Sequence, residues 1–230
     1  MASCAIMQPY LFPYLGYWQL INLVDNFVIY DDVNFQTKGF INRNYFNLNG
    51  KPYKLTLPLI KPSQNKLINE IEIGPRKKFL KTIKLNYSKT EQFSIIFPLL
   101  ENIFNQNENN LSKFIGYSIS ELKNFLGCTT NLLYSSELKI DIKKKGEDKI
   151  IEICKKINAN TYLNPIGGKD LYNKNKFNQN NINIFFFETN IPKVLHSTNF
   201  DFSYFSVIDI LMRKPKSEII NLLNKYYLHS

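Results

Sequence analysis

The chain is expected to fold as an α/β protein with a mostly parallel central sheet flanked by helices. Three observations predict this. Short apolar runs such as Ile6-Met7 and Phe27-Val28-Ile29-Tyr30 have the length and β-branched or aromatic content of core strands. Helix-periodic segments separate such runs, and strands alternating with helices favour a parallel sheet. The 230 residues suffice for one such domain, with a helical insertion or subdomain expected around 76–126.

The elements follow in order. Between the first two runs, Leu15, Trp18, Ile21 and Val24 recur about three apart, which predicts a helix with one buried face and hence a βαβ unit. Residues 51–59 read as a strand that its prolines confine to an edge or an end. Residues 69–73 alternate and are expected to pair with it. Gly74-Pro75 breaks the chain, and Pro75 suits a helix start. Residues 76–87 then carry Phe79, Leu80, Ile83 and Tyr87 on one face. A second helix is expected over 93–104, with Pro98 as a kink or boundary. The clearest helix spans 111–126, with Gly127 as its stop. Beyond it come a strand at 131–135, a helix at 147–157 and a strand at 161–163 that ends in Asn164-Pro165-Ile166-Gly167-Gly168. A short helix at 169–177, a strand at 182–187 and helices at 206–211 and 217–227 complete the pattern.

The formal net charge is +10, carried by many lysines rather than a basic tail. A solvated surface explains it, and so does attraction of a polyanion or a diphosphate-bearing substrate. Three cysteines, Cys4, Cys128 and Cys154, show no paired spacing. That argues against a disulfide framework and a zinc site, and for a reducing compartment. No stretch reaches the roughly 18 apolar residues of a membrane span. Gln8-Pro9 interrupts the only apolar run near the start, so no signal peptide is read there. The expectation is a soluble cytoplasmic protein without metal or cofactor.

Several residues could do chemistry. Gln8 carries an amide that both donates and accepts, as reading a base edge requires. Tyr10, Phe12, Tyr14 and Trp18 could stack on a base or sugar, or simply fill the core. Asp31-Asp32 directly follows an apolar strand, where a carboxylate is well placed to take a proton or to cap a loop. Lys38, Asn42 and Arg43 follow closely, and Arg43 can hold a phosphate in two-pronged fashion. Gly167-Gly168 sits between a strand and a helix. Backbone N–H groups there can bind phosphate, although a turn needing positive φ explains two glycines equally well. His196 is a candidate general base in an apparent loop. Ser206-Val207-Ile208-Asp209 has the form of a helix-capping box.

The run from Gln8-Pro9-Tyr10 to Gly16-Tyr17, with Asp25-x-Phe27 to Gln36 and Ile41-Asn42-Arg43, resembles the WbqC-like protein family. Tyr162-Leu163-Asn164-Pro165-Ile166-Gly167-Gly168 and Phe205-Ser206-Val207-Ile208-Asp209 agree with it, and the resemblance covers nearly the whole chain. It implies a place in bacterial O-antigen and related surface-glycan synthesis. It also implies one role: attaching an acyl group, an amino acid such as glycine in particular, to the amine of a nucleotide-linked deoxy amino sugar. The motif sets Gln8, Tyr10, Asp31, Asp32, Gln36, Asn42 and Arg43 near the site. The base would be Asp31 or Asp32, with His196 behind them. The partners would be a nucleotide-linked amino sugar, such as a dTDP-linked one, and an acyl donor such as an aminoacyl-tRNA. A non-catalytic nucleotide-sugar-binding or assembly protein of the same pathway is the alternative.

Overall fold

A computed structural model describes residues 2–48, 51–190 and 205–230. The protein is α/β, as expected. Its central sheet has six strands: β1 (Ala2–Met7), β2 (Asn26–Ile29), β7 (Asn131–Tyr134), β8 (Ala159–Pro165), β9 (Asn183–Thr189) and β10 (Tyr226–His229). They lie in the order β10-β9-β8-β1-β2-β7, and only β10 is antiparallel to its neighbour. The chain therefore starts mid-sheet, builds outward through β2 to β7, then returns to β8 and builds the other way. The reversal falls between β1 and β8. In open α/β sheets the crevice at the carboxyl ends of such a strand pair is where ligands bind.

Side-chain alternation explains the layers. Cys4, Ile6 and Val28 face one way and pack with Tyr162 and Ile184 against Ile150, Ile153 and Cys154 of α5 (Gly146–Lys156) and Phe177 of α6 (Lys174–Gln179). Ala5, Phe27 and Ile29 face the other way, onto α1 (Leu15–Leu23). Helix α1 buries Trp18, Leu20 and Ile21 completely, and burying an aliphatic chain of that size contributes roughly 1.5–3 kcal/mol. Gln19 is equally buried. Its Nε2 donates to the carbonyls of Leu222 and Lys225, both at 2.7 Å, and Thr189 Oγ1 donates to its Oε1 at 2.6 Å. One polar side chain thus ties β9 to the end of α8 (Lys216–Leu223).

Between β2 and β7 lie two hairpins, β3 (Arg43–Leu48) with β4 (Lys51–Thr56) and β5 (Leu59–Ile60) with β6 (Glu72–Ile73). The helices α2 (Lys77–Tyr87), α3 (Phe93–Asn105) and α4 (Leu111–Leu126) follow. Pro98 is accommodated inside α3, and Gly127 closes α4 with φ 84°. No helix among the described residues is long and apolar enough to cross a membrane.

Five local expectations differ from the structure. The helix expected at 169–177 is split into a 3-10 helix, Ile166–Leu171, and α6. The 51–59 strand breaks at Leu57-Pro58 into β4 and β5, because proline cannot donate to a ladder. Residues 68–70 form a single 3-10 turn, which leaves only Glu72–Ile73 to pair. β3 occupies a stretch for which no element was expected; its polar Arg43-Asn44-Tyr45-Phe46-Asn47 hides a one-sided alternation in which Asn44 and Phe46 point inward. The terminal helix stops at Leu223, and the β-favouring Tyr226-Tyr227-Leu228 joins the sheet as its edge.

Helix α7 (Val207–Arg213) starts on Ser206, whose hydroxyl accepts from the Ile208 N–H at 3.3 Å. Asp209 does not complete the capping box. Its buried carboxyl instead accepts from Tyr87 OH and, at 2.7 Å, from the Asn47 N–H. Burial raises its pKa from 3.8 to about 6 against the lowering effect of those donors and of Arg213. A carboxyl whose folded pKa lies above its unfolded one stabilises the fold fully at low pH and loses that contribution as pH rises through the folded value. The stability of the wild type relative to Asp209→Asn should therefore fall by up to about 3 kcal/mol between pH 4 and 7, as measured by urea unfolding at each pH.

Candidate functional site

The carboxyl ends of β8, β1 and β2 bring three sequence-predicted groups to one edge. Gln8 follows β1, Asp31-Asp32 follows β2, and Gly167-Gly168 follows β8. The Tyr30 N–H donates to the Met7 carbonyl at 2.8 Å, so the β1 and β2 ends leave the sheet together.

The two adjacent carboxylates have different surroundings. Asp31 is fully buried. Its Oδ2 accepts from Ser112 Oγ and Ser136 Oγ, both at 2.9 Å, and its Oδ1 accepts from the Ser136 N–H at 3.1 Å. Ser135 accepts from the Asp31 N–H at 3.1 Å and offers its one proton to Oδ1 of either aspartate. Asp31 thereby locks α4 to the β2–β7 edge. Asp32 is more open, with its side chain 22% exposed. Lys149 Nζ lies 2.8 Å from Asp32 Oδ2 and donates to the Asp32 carbonyl at 3.0 Å. The same ammonium sits 5.0 Å over the Tyr30 ring. Burial, then the nearby Asp32 carboxylate, pushes the Tyr30 hydroxyl above its ordinary pKa.

Lys149 is the member sequence reading missed. It sits in the first turn of α5, buried, with Asp32 as its charged partner. The available signal was its spacing: Lys149 precedes Ile153 by four residues, so it shares the inward stripe.

The β8 end is also built from polar contacts. Tyr162 OH donates to Asn164 Oδ1 at 3.0 Å and lies 3.2 Å from Tyr172 OH. Neither Gly167 nor Gly168 takes positive φ, so that explanation of the pair is withdrawn. Gly168 is required by close approach: a Cβ there would lie 2.0 Å from Asn164 Nδ2. A Cβ on Gly167 would meet nothing within 4 Å. Gly168→Ala should accordingly cost about 1–3 kcal/mol in thermal unfolding, while Gly167→Ala stays within about 0.5 kcal/mol of wild type.

The loop from β1 to α1 is held in a preset shape. Phe12 is fully buried at φ 45°, a strained conformation for a bulky residue that surrounding contacts must enforce. Asn44 Nδ2 donates to the carbonyls of Leu11 at 3.1 Å and Phe12 at 2.8 Å, and the Phe12 ring packs against Phe79 and Phe104. Tyr10 is half-buried between Tyr17 and Phe40, and burial raises its pKa. Tyr14 is half-buried as the residue before α1.

The remaining candidates lie between β2 and β3 or at the start of β3. Gln36 and Lys38 are exposed in the β2–β3 connection. Asn42 is buried, and its amide donates to the Leu57 carbonyl at 2.9 Å, where it pins β3 to the chain beyond β4. Arg43 opens β3, with its guanidinium 3.4 Å from Asn42 Oδ1. His196 lies outside the described residues. A surface groove of about 770 Å³ between β6 and the start of α2, lined in part by Ile60, Lys77 and Lys78, does not include the aspartates.

No solved structure matches the chain. The uncharacterized protein Rv1507c of Mycobacterium tuberculosis is 25% identical over 193 residues, covering 82% of this chain and 83% of its own length. The model of the WbqC-like protein family matches residues 8–220. The chain belongs to the WbqC-like protein family.

Proposed function

We propose that the protein acylates the amine of a nucleotide-linked deoxy amino sugar in surface-glycan synthesis, at the carboxyl edge of its sheet. The observation that carries this reading is the half-open Asp32–Lys149 pair beside the β1/β8 reversal. The substrate amine attacks an activated acyl carbon. Its N–C bond forms as the bond to the leaving group breaks, Asp32 takes the amine proton, and the leaving group departs with the bonding electrons. Lys149 and Ser135 hold the Asp32 carboxylate in one orientation, so the acceptor oxygen is in place before the amine arrives. Asp31, with its oxygens already engaged by serines and a backbone N–H, serves as the support for this end of β2. The diphosphate lies at the Gly167-Gly168 turn, and the base or sugar lies against Gln8 and Tyr10.

The test is incubation with a dTDP-linked amino sugar and, in parallel, an acyl thioester and a glycyl-tRNA, followed by mass spectrometry of the sugar nucleotide. One added acyl group per amine is expected with one of the donors. No acylated product with either donor overturns the reading.

A further inference from the structure

The positive charge is uneven along the chain. Residues 33–90 contain twelve Lys and Arg against two Glu, whereas the rest carries seventeen of each sign. Six of the twelve fall within residues 76–89, a stretch without Asp or Glu. Arg76 is turned inward. Its guanidinium donates to the carbonyls of Glu108 at 2.9 Å and Gln106 at 2.8 Å and lies over the Phe114 ring. The other five are lysines of α2 and of its carboxyl end.

The helix sorts them onto one side. α2 buries Phe79, Ile83 and Tyr87, which recur every four residues and pack into the main core. At 3.6 residues per turn, Lys77, Lys78, Lys81 and Lys84 fall opposite that stripe, within an arc about 120° wide. All four are exposed, as is Lys89 just beyond the helix. Leu85 falls inside the same arc and is 70% exposed, and no aromatic residue does. Among the described residues none of the five lysines has an ion-pair partner. Lys84 alone has a ring contact, 5.4 Å from the centroid of Phe97.

This placement works against the helix itself. Lys77 and Lys78 stand in the first turn, at the positive end of the helix dipole, where no acid offsets them. Lys77 and Lys81 are like charges at i,i+4, and Lys81 stands three residues from both Lys78 and Lys84. A merely solvated face is served better by charges of both signs. Two kinds of polyanion fit the lysines, and Leu85 decides between them. A nucleic acid offers phosphates but nothing apolar to cover a protruding leucine, and this face has no ring to stack on a base. An anionic bilayer offers headgroup charge with an apolar layer beneath it.

We propose that the exposed face of α2 docks on an anionic phospholipid membrane, with Lys77, Lys78, Lys81 and Lys84 at the headgroups and Leu85 reaching below them. The apolar face of the helix is committed to the core, so α2 rests on the surface and the attachment is reversible. This stands independently of acyl transfer.

The test is co-sedimentation of the full chain with vesicles of phosphatidylcholine containing about one third phosphatidylglycerol, beside pure phosphatidylcholine, across a salt series. Heparin and a transfer RNA serve as polyanions without an apolar layer. Binding to the anionic vesicles alone, weakening as salt rises, is expected. Lys81→Glu should weaken vesicle binding roughly tenfold or more, and heparin binding as well. Leu85→Ser should weaken vesicle binding roughly fivefold and leave heparin binding unchanged. Lys155→Glu, which changes the net charge equally but lies on α5, should change neither. Unchanged circular dichroism in each variant separates these effects from misfolding. No binding to the anionic vesicles at about 50 mM salt would overturn the proposal. So would a loss in Lys155→Glu equal to that in Lys81→Glu, vesicle binding indifferent to Leu85→Ser, or tighter binding to the transfer RNA than to the vesicles.

Discussion

Replacing Asp31 by alanine is expected to destabilise the protein by about 3 kcal/mol or more. The substitution strands the hydroxyls of buried Ser112 and of Ser136, and the Ser136 N–H, without their acceptor. Hydrogen bonds to a charged group contribute roughly 1.5–3 kcal/mol each, and a buried group left unsatisfied costs about 1–3 kcal/mol. These donors come from α4 and from the turn after β7, so the loss loosens the joint between α4 and the sheet edge. Urea unfolding monitored by far-ultraviolet circular dichroism measures it. A change under about 1 kcal/mol would mean that the serines find other partners and that Asp31 is not the joint described.

The neighbouring substitution should behave in the opposite way. Asp32→Asn keeps one oxygen, which can accept from Lys149 or from Ser135 but not from both, so the fold should lose only about 1–2 kcal/mol. An amide cannot take a proton from the substrate amine. Acyl transfer should fall by about a hundred- to ten-thousand-fold, the usual contribution of a positioned general base, while binding of the sugar nucleotide persists. Isothermal titration with the dTDP-linked sugar, beside a turnover assay, separates the two effects. If turnover survives Asp32→Asn, the proton acceptor lies elsewhere. If binding is lost as well, Asp32 is a ligand contact rather than a base.

The different fates of these adjacent residues show what the sequence can reveal. The helix and strand pattern follows from periodicity, so the parallel sheet, α2 through α5 and the Gly127 stop are legible in one dimension. Position at a strand end was equally legible, which is why Asp31 and Asp32 stand out together. What separates them is the arrival of Ser112, Ser135 and Ser136 from eighty to a hundred residues away. No spacing rule reports that. Lys149 was hidden for the same reason: a lysine in a first helical turn reads as solvated until its partner is known. Cys4 and Cys154 have no paired spacing, yet their sulfurs lie 3.5 Å apart in the core, both as free thiols. β3 and β10 were missed because their patterns are short and one-sided, and tertiary pairing decides such segments. The charge told least when read as a total. Its uneven distribution shows only when it is counted along the chain: residues 33–90 hold twelve Lys and Arg against two Glu.

A crystal structure of the complex with a dTDP-linked amino sugar tests the central claim most directly. The account predicts the diphosphate at the Gly167-Gly168 turn and the sugar amine within hydrogen-bonding reach of the Asp32 carboxylate, with Lys149 still on its far side. A ligand seated instead in the groove by Lys77 and Lys78, with Asp32 and Gly168 untouched, would contradict it.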